Sequence, residues 1–232
     1  MKKDFLRGAS HGIPICLGYL SVSFGFGILA VESGISPLIA SIISASNLTS
    51  AGQVAGVDVI RTGGTIIEMI LVQLVINIRY SLMALSLSQK LDPRFTTPHR
   101  FLASYGITDE IFAVCSAQKQ RITPAYMYGM ILVAALGWVT GTALGAAAGQ
   151  LLPDSVSSAL GIVLYGMFLA IIIPPARRQK SVLAVVAAAA GVSVLFRYVL
   201  TAVSPGFAMI ISAVAASALG AALFPVKEET EQ

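Results

Sequence analysis

Apolar residues in this chain run in blocks instead of alternating, and the blocks are about as long as a bilayer is thick. Seven of them, at about 12–31, 37–60, 64–87, 125–149, 156–174, 181–203 and 205–224, approach the ~20 residues a helix needs to cross a ~30 Å hydrocarbon core. Sharp punctuation separates the later blocks, at Pro153-Asp154 and Pro174-Pro175-Ala176-Arg177-Arg178. Proline interrupts the helical ladder there and turns the residue before it away from helix. The pattern predicts an all-α polytopic membrane protein with seven or eight transmembrane helices, forming one integral membrane domain over 1–232. One stretch departs from it. Residues 88–124 hold no clean block, and within them LASYGITDEIFAVCSA (102–117) sets Asp109 and Glu110 side by side in apolar surroundings with no cation next to them.

Composition decides the solvent. The chain is 56% hydrophobic and 11% charged, with a mean hydropathy of +0.83, whereas a soluble domain carries roughly 25% charged residues. A water-soluble fold is excluded. The basic start MKKDFLRGASHG leads into an apolar run without a short hydrophobic region and cleavage site, so it reads as the first retained helix. Cys16 and Cys115 lie in apolar runs as small hydrophobes, and His11 and His99 suggest no metal site.

The net charge of +4 informs topology and not nucleic-acid binding, because Lys and Arg in short loops favour the cytoplasm. If 100–118 crosses the membrane as an irregular span, ten basic residues (Lys2, Lys3, Arg7, Arg61, Lys119, Arg121, Arg177, Arg178, Lys180, Lys227) lie inside against three outside (Lys90, Arg94, Arg100). The rival, seven passes with the N-terminus outside, leaves nine inside and four outside. A faint internal repeat adds to this. A shift of 118 residues pairs Asn77-Ile78-Arg79-Tyr80-Ser81-Leu82 with Leu195-Phe196-Arg197-Tyr198-Val199-Leu200, and Gly27 with Gly145. Halves of about 8–88 and 125–203, linked by 89–124, would be inverted with three spans each (3+3) or parallel with four (4+4), and both occur in secondary transporters.

Three polar constellations interrupt the hydrocarbon-like sequence. In the first, a charged side chain at the bilayer centre costs on the order of 2.5–3.5 kcal/mol, so Asp109 and Glu110 require a cavity or a partner. Ser104, Tyr105, Gly106 and Thr108 make their flank polar enough for a broken or re-entrant element near 100–118, and the alternative is an interfacial amphipathic segment facing water. The second is IISASNLTSAGQVAGVDVI (42–60). On a continuous helix, Ser46, Ser50 and Gln53 share a face that Asn47 and Thr49 widen. Such a half-polar helix suits a small zwitterion, or serves as packing glue between helices. In the third, Gln73, Asn77 and Ser81 repeat at i+4, with Arg79 about two turns from the helix end. Arg79 is placed to pair with Asp109 or Glu110, to hold a substrate carboxylate, or to snorkel. Arg197, nearer its own helix end, reads as snorkelling, and Glu68 as facing headgroups or a positive helix end. Gly137, Gly141, Gly145 and Gly149 form a smooth face for close helix contact. Tyr and Trp near segment ends read as interface anchors.

Taken in order, these motifs resemble the AzlC family of bacterial membrane permeases. Thr49-Ser50-Ala51-Gly52-Gln53 is similar to that family's polar turn, Asn77-Ile78-Arg79-Tyr80 to its Asn/Asp-x-Arg-His, and Thr108-Asp109-Glu110-Ile111-Phe112-Ala113 to its Thr-Asp-Glu-x-Phe-Ala. Ser50 stands in place of the usual glycine, and Tyr80 in place of the common histidine. No proton relay through Tyr80 is supported, since tyrosine does not titrate near neutral pH. The resemblance implies export of branched-chain amino acids across the bacterial cytoplasmic membrane, together with a small four-helix AzlD-like partner subunit.

The residues themselves place the substrate at Ser46, Asn47, Ser50, Gln53, Asn77, Arg79, Thr108, Asp109 and Glu110, with a proton or another cation as coupling ion. The reading is of a transporter embedded in lipid, with no cofactor, no nucleic-acid partner and no enzymatic role, since no nucleophile–base pair stands out. Two alternatives stay open: a scaffold subunit whose polar stripes are glue, and a transporter of another small solute.

Overall fold

The structure, a computed structural model, describes residues 1–149, 151, 166, 168–170 and 172–225. Its regular elements are helices: α1 (Lys2–Glu32), α2 (Pro37–Ser46), α3 (Ser50–Arg61), α4 (Ile66–Ser88), α5 (Thr97–Ser104), α6 (Asp109–Ser116), α7 (Pro124–Gly149), α8 (Lys180–Tyr198) and α9 (Pro205–Leu223). No strand occurs among the described residues. Helices α1, α4, α7, α8 and α9 are long and apolar enough to cross a membrane, as a polytopic α-helical membrane protein requires. Of the span expected at 156–174, residues 166, 168–170 and 172–174 are described and helical, and the rest lies outside the described residues.

One expected span is broken. Residues 37–60 form two short helices instead of one, because the chain is extended at Asn47 (φ −149°, ψ 148°). The local chemistry accounts for the break. Asn and Thr side chains compete with the helical ladder for backbone partners. Here the Thr49 hydroxyl accepts from the Gly52 amide at 3.2 Å, as a cap at the start of α3 does. Ser46 therefore does not share the continuous face with Ser50 and Gln53 that the spacing predicted. The other irregular segment divides likewise, into α5 and α6 with Tyr105–Ile107 and the cap residue Thr108 between them. Gly106 has no positive φ. It is needed for space, since a Cβ there would sit 2.5 Å from the Ile131 side chain.

The described helices fall into two compact units, Met1–Val54 with Ile76–Leu164, and Ala55–Val75 with Tyr165–Gln232. In the first, α1 lies along α7 with almost nothing between the backbones. A Cβ on Gly137 would overlap the Cys16 carbonyl, one on Gly141 the Ser23 hydroxyl and Leu20 carbonyl, and one on Gly145 the Phe24 carbonyl. Gly8, Gly12 and Gly27 return the contact from α1 onto Tyr126, Met130 and Thr142. The smooth face predicted for α7 is a true helix interface, matched by glycines on its partner.

The facing positions advance together along both helices, from Gly8 with Tyr126 to Phe24 with Gly145, so α1 and α7 run parallel. Parallel ends require that the two broken elements, α2–α3 and α5–α6, either both cross the membrane or both turn back. A topology in which 37–60 crosses and 100–118 does not would make α7 antiparallel to α1. Beyond the glycines, the start of α1 is pinned to the start of α7. His11 Nδ1 lies 2.7 Å from the buried Tyr126 hydroxyl, and the Arg7 guanidinium stacks 4.8 Å from that ring centre. Between α4 and α5, hydrogen bonds from the Arg94 side chain and backbone hold the Asp92 carboxyl down at about 2, so this loop clasp stays ionised at neutral pH.

The second unit contains two hairpins. Gly63, at φ +68°, ends α3 in the left-handed conformation that favours glycine, and the Gly64 amide donates to the Val59 carbonyl at 2.8 Å. In the other hairpin Ser204 caps α9 ahead of Pro205. Glu68 is only 2% exposed. Its carboxylate accepts from the Ser204 hydroxyl, and Gly206 leaves it room. The spacing placed Glu68 toward headgroups or a positive helix end. It lies in protein, and the positive end is that of α9.

Gly145→Val is expected to lower stability by about 1–3 kcal/mol or more, because a side chain meets backbone that cannot move aside. Gly18→Ala on the same pair, with open space around it, should hold or raise stability by up to ~1 kcal/mol. Thermal unfolding of the detergent-solubilised protein checks both.

Candidate functional site

The two breaks in the first unit meet. The Tyr105 hydroxyl, in the α5–α6 break, donates to the Ala45 carbonyl at 2.8 Å, at the end of α2. Around them, α4 supplies a polar side chain to each. Thr49 Oγ1 donates to Asn77 Oδ1 at 2.7 Å, and two residues further on Arg79 pairs with Asp109 at 2.7 Å. The missing cation beside the carboxylates is thus Arg79, supplied across the fold. Both side chains of the pair remain partly open, at 43% and 44% exposure, so the ion pair is accessible to a third charged group.

Glu110 has a different partner. The Tyr19 hydroxyl, buried on α1, donates to Glu110 Oε2 at 2.6 Å and shares a 2.6 Å bond with the buried Thr108 hydroxyl. Thr108 in turn caps α6, accepting from the Ile111 amide, so Asp109 and Glu110 occupy the first turn of a capped helix. Carboxylates are favoured at that positive end. The Tyr19 ring packs edge-to-face on Trp138 at 5.3 Å between centroids.

From Trp138 the network continues to the first break. The indole N–H donates to Gln53 Oε1 at 3.2 Å, while Gln53 Nε2 donates at 2.8 Å to both the backbone and side-chain oxygens of Asn47. Ser44 donates to the same Gln53 oxygen at 3.3 Å and lies 2.7 Å from the Thr142 hydroxyl. Gln53 is 3% exposed, and its amide is well satisfied by these partners. It spans the break as a brace, holding the extended Asn47 against α7.

Seven of the nine predicted residues therefore belong to this assembly: Asn47, Gln53, Asn77, Arg79, Thr108, Asp109 and Glu110. Ser46 does not, being exposed and bonded to the Ile43 carbonyl of its own turn. Ser50 is half-buried and makes no side-chain hydrogen bond among the described residues. Reading the sequence missed Tyr19 and Trp138, the latter 3% exposed in mid-helix. Its polar N–H inside a run of Gly, Ala and Val was the available signal. Among the described residues, no group of three or more His, Cys, Asp or Glu is placed to hold a metal.

Comparison with known proteins falls on the same region. A family model described as AzlC protein matches residues 14–152, a stretch that contains every residue of the network. An uncharacterized membrane protein of Archaeoglobus fulgidus is 33% identical over 174 residues, 73% of this chain and 75% of its own length. The inner membrane protein YgaZ of Escherichia coli is 29% identical over 199 residues, 82% of this chain and 81% of its own. An uncharacterized membrane protein of Helicobacter pylori is 25% identical over 152 residues, 64% and 65% of the two chains. No solved structure matches.

Gln53→Leu is expected to lower stability by about 1–3 kcal/mol, since the buried indole N–H and the Asn47 oxygens lose their partner at once. Thermal unfolding should show that loss for Gln53→Leu and little change for Ser46→Ala.

Proposed function

Because the chain belongs to the AzlC family of membrane proteins, we propose that it is a secondary transporter exporting branched-chain or other small aliphatic amino acids. The observation that carries this reading is the meeting of two broken helices around a half-exposed Arg79–Asp109 pair. Broken helices offer unwound backbone and helix ends for ions and for substrate charges where lipid could solvate neither. An amino acid brings one carboxylate and one ammonium. Arg79 presents a planar donor fork to the first, and Asp109 and Glu110 present acceptors to the second. The substrate then replaces the internal ion pair with two external ones, so charge stays balanced when the site is empty and when it is full.

Asn77 holds the end of the α2–α3 break through Thr49, and Gln53 keeps Asn47 extended, so these residues shape the site. A proton or another cation on Asp109 or Glu110 would couple export to an ion gradient. The small AzlD-like subunit is part of the proposal, and α8, which buries none of its residues in this chain, leaves surface for lipid or for that subunit. The naming of the Escherichia coli relative as an inner membrane protein supports a multi-pass protein of the bacterial cytoplasmic membrane.

A scaffold reading draws on one observation. The Gln53 cluster is internally satisfied, as helix glue would be. Efflux of isoleucine, leucine and valine from peptide-loaded cells, with and without an AzlD-like subunit, separates the two. Asp109→Asn and Arg79→Gln should each lower export on the order of tenfold or more with normal membrane levels, because a charge-assisted hydrogen bond is worth about 1.5–3 kcal/mol. Equal loss of membrane protein and flux would instead favour glue. Wild-type export that ignores collapse of the pH gradient would sink proton coupling.

A further inference from the structure

The second unit holds a cavity whose α8 and α9 walls lie beyond the family match. It has a volume of about 640 Å³, within the ~300–1,000 Å³ typical of small-molecule sites. Its origin is legible in the residues. Helices α8 and α9 form a hairpin whose far end closes tightly, where a Cβ on Gly220 would lie 2.6 Å from Val185. Toward the connecting loop, the facing positions turn small. Ala189, Ala190 and Ser193 on α8 face Ala208, Ser212 and Ala213 on α9, at the i, i+4 spacing of single helix faces. Side chains of that size leave the gap between the helices unfilled. The buried bond from Ser204 to Glu68 holds the start of α9, so the wall is braced beside Pro205.

What lines the gap is chemically mixed in a particular way. Most of the wall is apolar, with Phe196 and Met209 its largest members, and two charges of opposite sign face it: Arg197 from the last turn of α8 and Asp58 from α3. Arg61, itself 62% exposed, holds Asp58 through Oδ1 at 2.7 Å and is not part of the wall. Arg197 has no hydrogen bond or ion pair among the described residues. An unpaired guanidinium on an apolar wall, with a carboxylate on the same cavity, matches a ligand carrying both an anion and a cation on a small aliphatic body. A carboxylate answers Arg197, and Asp58, already paired with Arg61, adds an acceptor on the same wall for an ammonium, whereas an amine alone would leave Arg197 unanswered.

We infer that this cavity is a second binding site for a small aliphatic amino acid, with Arg197 on its carboxylate, Asp58 on its ammonium and Met209 and Phe196 against its side chain. The site rests on its own wall. Only the choice of an aliphatic amino acid as probe leans on the proposed export function.

The test reads the cavity locally. In the full chain with Cys16→Ser, Thr201→Cys places a thiol on the wall, and maleimide labelling in detergent is followed as L-valine or L-leucine is added. Labelling should slow about tenfold at roughly ten times the apparent Kd, by mass action. Isovalerate and isobutylamine should not protect, Arg197→Gln should abolish protection, and Asp109→Asn should leave it in place. Arg197 is exposed at a helix end, so its variant is expected to fold. Unchanged labelling with either amino acid overturns the inference, as does protection that survives Arg197→Gln, vanishes with Asp109→Asn or is matched by isovalerate. Efflux measured with the same chains keeps the two ideas apart. Export without protection removes this site alone, and protection without export removes the transport reading alone.

Discussion

A helix that breaks inside a membrane protein leaves amides and carbonyls that hydrocarbon cannot satisfy. The first unit is organised around two such breaks. Each is held by specific side chains: Gln53, Trp138 and Asn77 at the first, Tyr19 and Arg79 at the second. Tyr105 ties them together. Because every partner is specific, neither break can relax toward a continuous helix without orphaning a group on another element. The polar residues of this apolar chain are concentrated where backbone irregularity demands them.

That arrangement depends on how closely α1 and α7 approach. Tyr19 and Trp138 project from these two helices, and their rings touch because glycines at successive turns bring the backbones together. A wider spacing would separate Tyr19 from Trp138 and, with it, Glu110 from Gln53 along the chain of contacts. Packing and polar chemistry are therefore one problem here. The interface needs no hydrophobic driving force in lipid, where close van der Waals contact between small residues takes its place.

The units differ in how they treat charge. In the first, opposite charges pair directly, and the pair stays half-open. In the second, Asp58 pairs with Arg61 and faces a cavity with Arg197, while Glu68 is buried with a hydroxyl and a helix N-terminus as its surroundings. A buried acid beside a positive helix end is a different solution from an ion pair, since fixed dipoles stand in for a counter-ion.

The sequence by itself determined the solvent, the helical class and the polar residues out of place, because block length and charge depletion are one-dimensional quantities. It also marked the glycine stripe of α7 and the Thr108–Ala113 motif, whose residue types announce close packing and charge. Tertiary structure alone decided that residues 37–60 break at Asn47, that Arg79 reaches Asp109, that Ser46 faces away, and that Glu68 and Trp138 are buried. Arg79, Glu68 and Trp138 meet partners distant in sequence, at separations no local pattern encodes, while the Asn47 break and the turn of Ser46 combine local bonds with contacts from other helices. A helix breaks where another element can satisfy its freed groups. Only the folded chain shows which element that is.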